Sequence, residues 1–277
     1  MTDAFLPERV LLRISGADAQ SFLHGLVTTD INGLPEGEAR PGALLTPQGK
    51  ILFDFLIWRD GGGFLLETDS ANAEALLKRL TLYRLRAAVT IAIEGAGVTV
   101  FWDPVAGGAR DARFAKAGIA LSRRPGQHGD GPEVAYHALR IAAGIAQSGH
   151  DFPPQDAFPH DVLLDLTDGL SFRKGCYVGQ EVVSRMQHRG TARRRVAIVC
   201  ADSALPASGT ELTANGKPLG TLGSSQGTQG LAIIRTDRAG DAMASGTPIL
   251  AGEVPVRLTL PEWTGLSFST GGEEAGA

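Results

Sequence analysis

Residues Ser171–Arg195 read SFRKGCYVGQEVVSRMQHRGTARRR, and the octapeptide Lys174–Glu181 (KGCYVGQE) at their head concentrates more chemistry than any other stretch of this 277-residue chain. Cys176 stands between Gly175 and Gly179, which predict a tight turn where backbone approaches a neighbour or ligand closely. Lys174 and Arg173 beside it favour a thiolate. Gln180 and Glu181 place an amide and a carboxylate just past the turn. Cys176 and Lys174 are therefore the candidate reactive pair, Gly175 and Gly179 the turn-shaping residues. The plainer alternative is a loop cysteine without a role. Downstream, five arginines fall within Arg185–Arg195, together with His188 and without an acid. Such a run marks an anion site or an RNA-binding face, or else a solvated surface beside a domain junction.

Beyond Arg195 the chain breaks into short strand patterns, Val196–Cys200, Glu211–Ala214, Lys217–Leu222, Leu231–Thr236, Pro248–Leu250 and Val254–Leu260. Asn215-Gly216 is the residue pair a type I′ hairpin requires. A small β-barrel over 191–263 is expected, followed by a polar, glycine-rich tail over 264–277 that should fray. The G-x-S-x-G match at Gly223–Gly227 lacks a following helix and is rejected as a nucleophile elbow.

Before the octapeptide, strands (Arg9–Ser15, Ala43–Leu45, Ile51–Trp58, Phe64–Glu67, Ala88–Ile93) alternate with two helical patterns. One follows a cap at Asp18; the other follows a cap at Ser70 or Asn72. This reads as an α+β region spanning 1–190, with Pro104–Pro132 partly an exposed connection and Gly149–Pro159 an irregular loop. His150, Asp151, Asp156, His160 and Asp161 in and after that loop match no metal-ligand spacing, so no metal site is assigned. Asp54 interrupts the apolar run ILFDFLIW; a carboxylate there calls for a partner or ligand.

Composition narrows the classes. Apolar residues make up 43% of the chain and charged residues 20%, enough for a packed core and incompatible with wholesale disorder. A net charge of −4 argues against a protein that coats nucleic acid with its whole surface. Two cysteines are too few for a disulfide framework or a self-sufficient iron–sulfur site, and they indicate a reducing compartment. No targeting pattern is evident at Met1–Ser15, so a cytoplasmic protein with no membrane partner is expected. Walker, dinucleotide-binding and H-E-x-x-H motifs are lacking.

The octapeptide resembles the signature of the YgfZ family, K-G-C-Y-x-G-Q-E. Further similarities follow in the family's order: Gly25–Asp30 (GLVTTD), Gln48–Asp54 (QGKILFD), Tyr83–Arg86 (YRLR), Arg140–Ile145 (RIAAGI) and Gly220–Ile234. The resemblance implies a fold like the glycine-cleavage T-protein, a three-lobed ring of two α+β lobes and a C-terminal β-barrel. It also implies a tetrahydrofolate cofactor and a role in iron–sulfur cluster assembly or repair, with an indirect effect on tRNA modification. The partners it implies are iron–sulfur client or assembly proteins. Asp54 matches the T-protein's catalytic aspartate and is assigned to the folate pocket, with Tyr177, Gln180, Glu181 and Arg140 as further folate candidates. Because the T-protein lacks the cysteine octapeptide, a folate-dependent aminomethyl or methyl transferase is the alternative rather than the first expectation. An RNA-binding module through Arg185–Arg195 is a third.

Overall fold

Alternating apolar and polar residues in the first half of the chain build strands that close into a barrel. The computed structural model describes residues 3–269. The chain forms two compact units: Met1–His137 with Leu164–Gln180, and Ala138–Leu163 with Glu181–Ala277. Residues 1–190 thus contribute to both units.

The first unit holds strands β1 (Asp3–Ser15), β2 (Glu38–Leu45), β3 (Ile51–Asp60), β4 (Gly63–Asp69), β5 (Thr90–Phe101), β6 (Ala109–Asp111) and β7 (Ser122–Pro125), closed in the order β1-β4-β3-β2-β6-β7-β5. Neighbours are antiparallel except β2 and β6. Helices α1 (Ala19–His24) and α2 (Ser70–Arg84) cover one face. There Leu23, Leu76 and Leu80 join Leu12, Ile14, Phe55 and Ile57 in the main core. Fully burying each such leucine stabilises the fold by about 1.5–3 kcal/mol. The other strand face turns inward and packs Leu11, Ala39, Leu56, Trp58, Leu65 and Val98 together.

Two caps differ from expectation. Asp69, not Ser70 or Asn72, caps α2 by accepting the Ala71 N–H at 2.9 Å. Asp18 precedes α1 but spends its carboxylate on the Ala88 N–H at 2.7 Å, pinning the chain after α2 to the start of α1. That chain leaves α2 through Leu85 at φ +46°, ψ −106°. Such backbone costs a non-glycine residue on the order of 1–3 kcal/mol.

The stretch Pro104–Pro132, expected to be partly an exposed connection, is exposed and irregular near both ends, and between them supplies β6, α3 (Ala112–Lys116) and β7, which complete the barrel. Two of its charged residues, Asp111 and Arg123, are buried because they pair with each other, and Arg123 with Glu67 as well. Arg123 is 1% exposed and binds Glu67 with Nε at 2.7 Å and Asp111 with Nη1 at 3.3 Å. Arg9 donates to the same Glu67 at 2.8 Å, and Arg113 grips Asp111 through two nitrogens. Burial alone would push the Glu67 carboxyl up, but Arg123 and Arg9 outweigh it and bring it down to about 2.

In the second unit β8 (Arg194–Ala201), β9 (Glu211–Ala214), β10 (Lys217–Gln226), β11 (Gln229–Arg235), β12 (Ile249–Ala251) and β13 (Val254–Thr259) close in the order β10-β11-β8-β13-β12-β9. Asn215 and Gly216 have φ of 49° and 71°, the positive pair a type I′ turn needs. Gly223–Gly227 lies along β10 and into its hairpin with β11, with no helix between. A helix the sequence did not announce, α6 (Thr236–Ala244), buries Ala239 and Ala242 on the barrel core. Of the tail expected to fray, Phe268 packs partly buried against that core, whereas 270–277 lie outside the described residues. Two further helices, α4 (Glu133–Ala143) and α5 (Gln180–His188), flank the irregular loop and follow the octapeptide turn.

Candidate functional site

The octapeptide loop stands on a mount built from the end of α1 and the β2–β3 hairpin. A helix C-terminus leaves carbonyls without intrahelical partners, and the sequence GLVTTD after His24 departs from helix at once. Lys174, only 9% exposed, fills that gap: its ammonium donates to the carbonyl oxygens of His24, Val27 and Thr29. Its three N–H bonds match these three acceptors. Burial brings the Lys174 ammonium down to about 8, with Asp30 pulling the other way.

The same two segments are stitched together elsewhere. Thr28 Oγ1 donates to the Gly169 carbonyl at 2.6 Å, the Ser171 N–H donates to the Thr28 carbonyl at 2.9 Å, and Thr28 in turn pairs with Ala43 of β2. Tyr177 is buried with its ring 5.0 Å from the Lys174 nitrogen and its hydroxyl donating to the Ser171 carbonyl at 3.2 Å. Burial pushes that phenol well above its ordinary range. Gly179, at φ +80°, lies against the β2–β3 turn; a Cβ there would stand 2.6 Å from the Thr46 carbonyl oxygen. Gly175 has open space around it and no positive φ, so only Gly179 is sterically required.

Cys176 projects from this mount into solvent. Lys174, placed by the sequence beside a thiolate, commits its donors to the mount, and Tyr177 braces the loop from within. Replacing Lys174 by Met is therefore expected to leave three carbonyls unpaired and loosen the loop. Amide hydrogen exchange over 172–179 should accelerate by at least tenfold, and unchanged protection would contradict the anchoring role.

The other residues singled out from the sequence fall in both units. Asp54 is half-buried on β3, opposite Ala43, on the face that carries the inward-packed Leu56 and Trp58. Gln180 begins α5, with its backbone N–H donating to the Tyr177 carbonyl at 3.2 Å. Glu181 is exposed and pairs with Arg185 one turn on. Arg140 is buried, donating to Asp151 at 2.8 Å and to the Ser224 hydroxyl. Asp151 also accepts the backbone N–H groups of Gln147 and Ser224, which makes it the organiser of the irregular loop.

The arginine run is largely spent on structure. Arg194 binds Asp156, and Arg195 donates to the His160 carbonyl at 2.7 Å. Arg193 stands 3.9 Å from Asp237. Among the described residues no group of three or more His, Cys, Asp or Glu is arranged to hold a metal ion. Cys200 lies half-buried in β8.

Two closed barrels with these helices define the class. The solved structure of glycine cleavage system aminomethyltransferase T from Bartonella henselae matches 97% of this chain and 88% of its own, with a TM-score of 0.69 at 16% identity. This shows the aminomethyltransferase fold. Residues 193–266 match the family model of the CAF17 C-terminal beta-barrel domain.

Sequence relatives are more specific. The human mitochondrial iron–sulfur cluster assembly factor IBA57 is 31% identical over 93% of this chain and 84% of its own length. Its mouse counterpart is 32% identical with the same coverage. The chain belongs to the IBA57 family of iron–sulfur cluster assembly factors. The resemblance to YgfZ is thereby refined to this family. One expectation is overturned: the human, mouse and Pyricularia oryzae relatives are all named mitochondrial, against the cytoplasmic location expected from the sequence. The expectation rested on the want of a secretory signal pattern at Met1–Ser15 and on a cysteine count that reports redox poise, and neither distinguishes one reducing compartment from another.

Proposed function

We propose that this chain acts in iron–sulfur cluster assembly through Cys176, whose thiolate supplies one ligand to a cluster held otherwise by a protein partner. The observation that carries the reading is the contrast between an exposed sulfur and a buried, fully bonded mount beneath it. A structural cysteine is ordinarily buried. Here Lys174, Tyr177 and Gly179 hold the backbone so that the sulfur can face a partner. One thiolate cannot retain a cluster, and no multidentate set accompanies it among the described residues, which favours shared, transient ligation. Binding releases the thiol proton and forms one iron–sulfur bond. The names of the relatives agree with this cargo. The partners are accordingly iron–sulfur assembly proteins or their clients.

The test is complementation. In cells lacking this chain, the wild type should restore a cluster-dependent dehydratase, and Cys176→Ala should not, although both accumulate equally. Normal support from Cys176→Ala would refute the reading.

Reduced folate is a second ligand to test, favoured by the place of Asp54 on the inward face of β3. A pterin edge offers N–H donors to such a carboxylate. Among the other folate candidates, Tyr177 donates its hydroxyl to the Ser171 carbonyl, Arg140 its guanidinium to Asp151 and Ser224, and Glu181 pairs with Arg185 in solvent. No chemical step is assigned to Asp54. Calorimetric titration with tetrahydrofolate should give saturable binding weakened at least tenfold by Asp54→Asn; no heat with either protein would rule folate out as a ligand. RNA binding finds little support in the arginine run, where Arg185, Arg194 and Arg195 are paired within the fold.

A further inference from the structure

The turn that ends α2 carries a surface the cysteine loop does not use. From Ala75 to Ile93 the chain has four cations, Lys78, Arg79, Arg84 and Arg86, and no acid, in a protein of net charge −4. All four are exposed, and Lys78, Arg79 and Arg86 have no ion pair or side-chain hydrogen bond among the described residues. Between them stand Leu82, 69% exposed, and Leu85, 87% exposed.

Leu85 is the unusual member. The Ala87 N–H donates to the Arg84 carbonyl at 2.8 Å, closing a turn in which Leu85 takes the first central position at φ +46°, ψ −106°. That is the position glycine dominates in a type II′ turn. A leucine held there buries almost nothing within the chain, so folding does not account for it. Strained residues of this kind persist where function uses the side chain.

The turn is also near the cysteine mount. Ala88, just past it, is bonded to Asp18 at the start of α1, and the far end of α1 receives Lys174 through the His24 carbonyl. A helix of this length rises about 9 Å. Both ends therefore fall within the ~800 Å² one partner covers in an ordinary interface.

We propose that Leu82 and Leu85, ringed by Lys78, Arg79 and Arg86, form the docking surface for an acidic protein partner whose apolar pocket receives Leu85. The proposal rests on the reading of Cys176 above and makes that partner the one sharing the cluster. Charge complementarity favours an acidic surface, and the exposed Leu82 and Leu85 beside these cations offer apolar area that a partner's pocket would take out of water. RNA is less favoured because the one aromatic ring in the patch, Tyr83, packs against the core. A lipid surface is less favoured because two leucines make too small an apolar face for stable insertion.

The test compares wild type, Leu85→Gly, the double variant Lys78→Glu/Arg79→Glu, and Cys176→Ala in cells lacking this chain. Leu85→Gly should melt at or above the wild-type temperature, because glycine accepts the turn, yet lose at least tenfold in support of the cluster-dependent dehydratase. The charge reversals should do the same, and Leu85→Met should keep most of the support. Full support from Leu85→Gly and the charge reversals, with Cys176→Ala inactive, would overturn the docking surface and leave the cysteine reading intact. If wild type itself gives no support, both fall. Flotation of wild type but not Leu85→Gly with phosphatidylglycerol vesicles would overturn the protein partner in favour of lipid.

Discussion

Replacing Glu67 by Gln is expected to destabilise the protein by about 3–5 kcal/mol, the range for breaking a buried ion pair by removing one partner. The side chain has no exposure, and it holds both Arg123 and Arg9 inside the first barrel. The amide keeps the volume, so no cavity contributes; the loss comes from two guanidinium groups left buried without their common anion. A fall in Tm of roughly 10 °C should follow in scanning calorimetry for a chain of this size. A fall below about 2 °C would mean that water or another acid compensates.

The same carboxylate sets an acid limit. Its pKa in the folded state, about 2, lies below its ordinary value of 4.5. The unfolded chain therefore takes up a proton first as pH falls, so the stabilisation is complete above about 4.5 and drains away toward 2. Glu67→Gln should lack this part of the acid-unfolding slope, and the two stability curves should converge in that window. Parallel curves would contradict the assignment.

Cys176→Ala should show the opposite profile, with no structural effect and complete functional loss. The sulfur is exposed and supports nothing, so the change in stability should stay within about 0.5 kcal/mol, as for other surface positions. Support of cluster enzymes should fall to the level of cells without the protein. The combination discriminates, because a damaged mount would lower Tm as well. If Cys176→Ala unfolds early, the loop is a structural element and the proposed ligand role loses its basis.

Much of the architecture was readable in the sequence alone. The period-two patterns and Asn215-Gly216 located the C-terminal barrel, and the run ILFDFLIW located β3 with Asp54 on it. What escaped was polar in sequence but buried in fact. Arg123 and Asp111 look like loop residues until Glu67, far away in the chain, is brought to them; pattern reading has no means of pairing them. At the site, the glycine-flanked cysteine was legible, since only Gly179 tolerates the approach to the Thr46 carbonyl. The direction of Lys174 was not. Charge beside a thiol suggested tuning, whereas the three carbonyls that claim it lie about 150 positions earlier. The cue available was the abrupt end of α1 at GLVTTD, where unpaired carbonyls had to find a donor. Leu85 lies within the motif YRLR, but nothing in those four letters marks it as the occupant of a glycine conformation.

The most direct measurement mixes the purified protein with an assembly protein carrying a [2Fe–2S] cluster and follows the visible circular dichroism of the cluster. If Cys176 ligates the cluster, wild type gives a new spectrum that is absent with Cys176→Ala and restored by no thiol added in solution. An identical spectrum with wild type and Cys176→Ala would contradict that ligation.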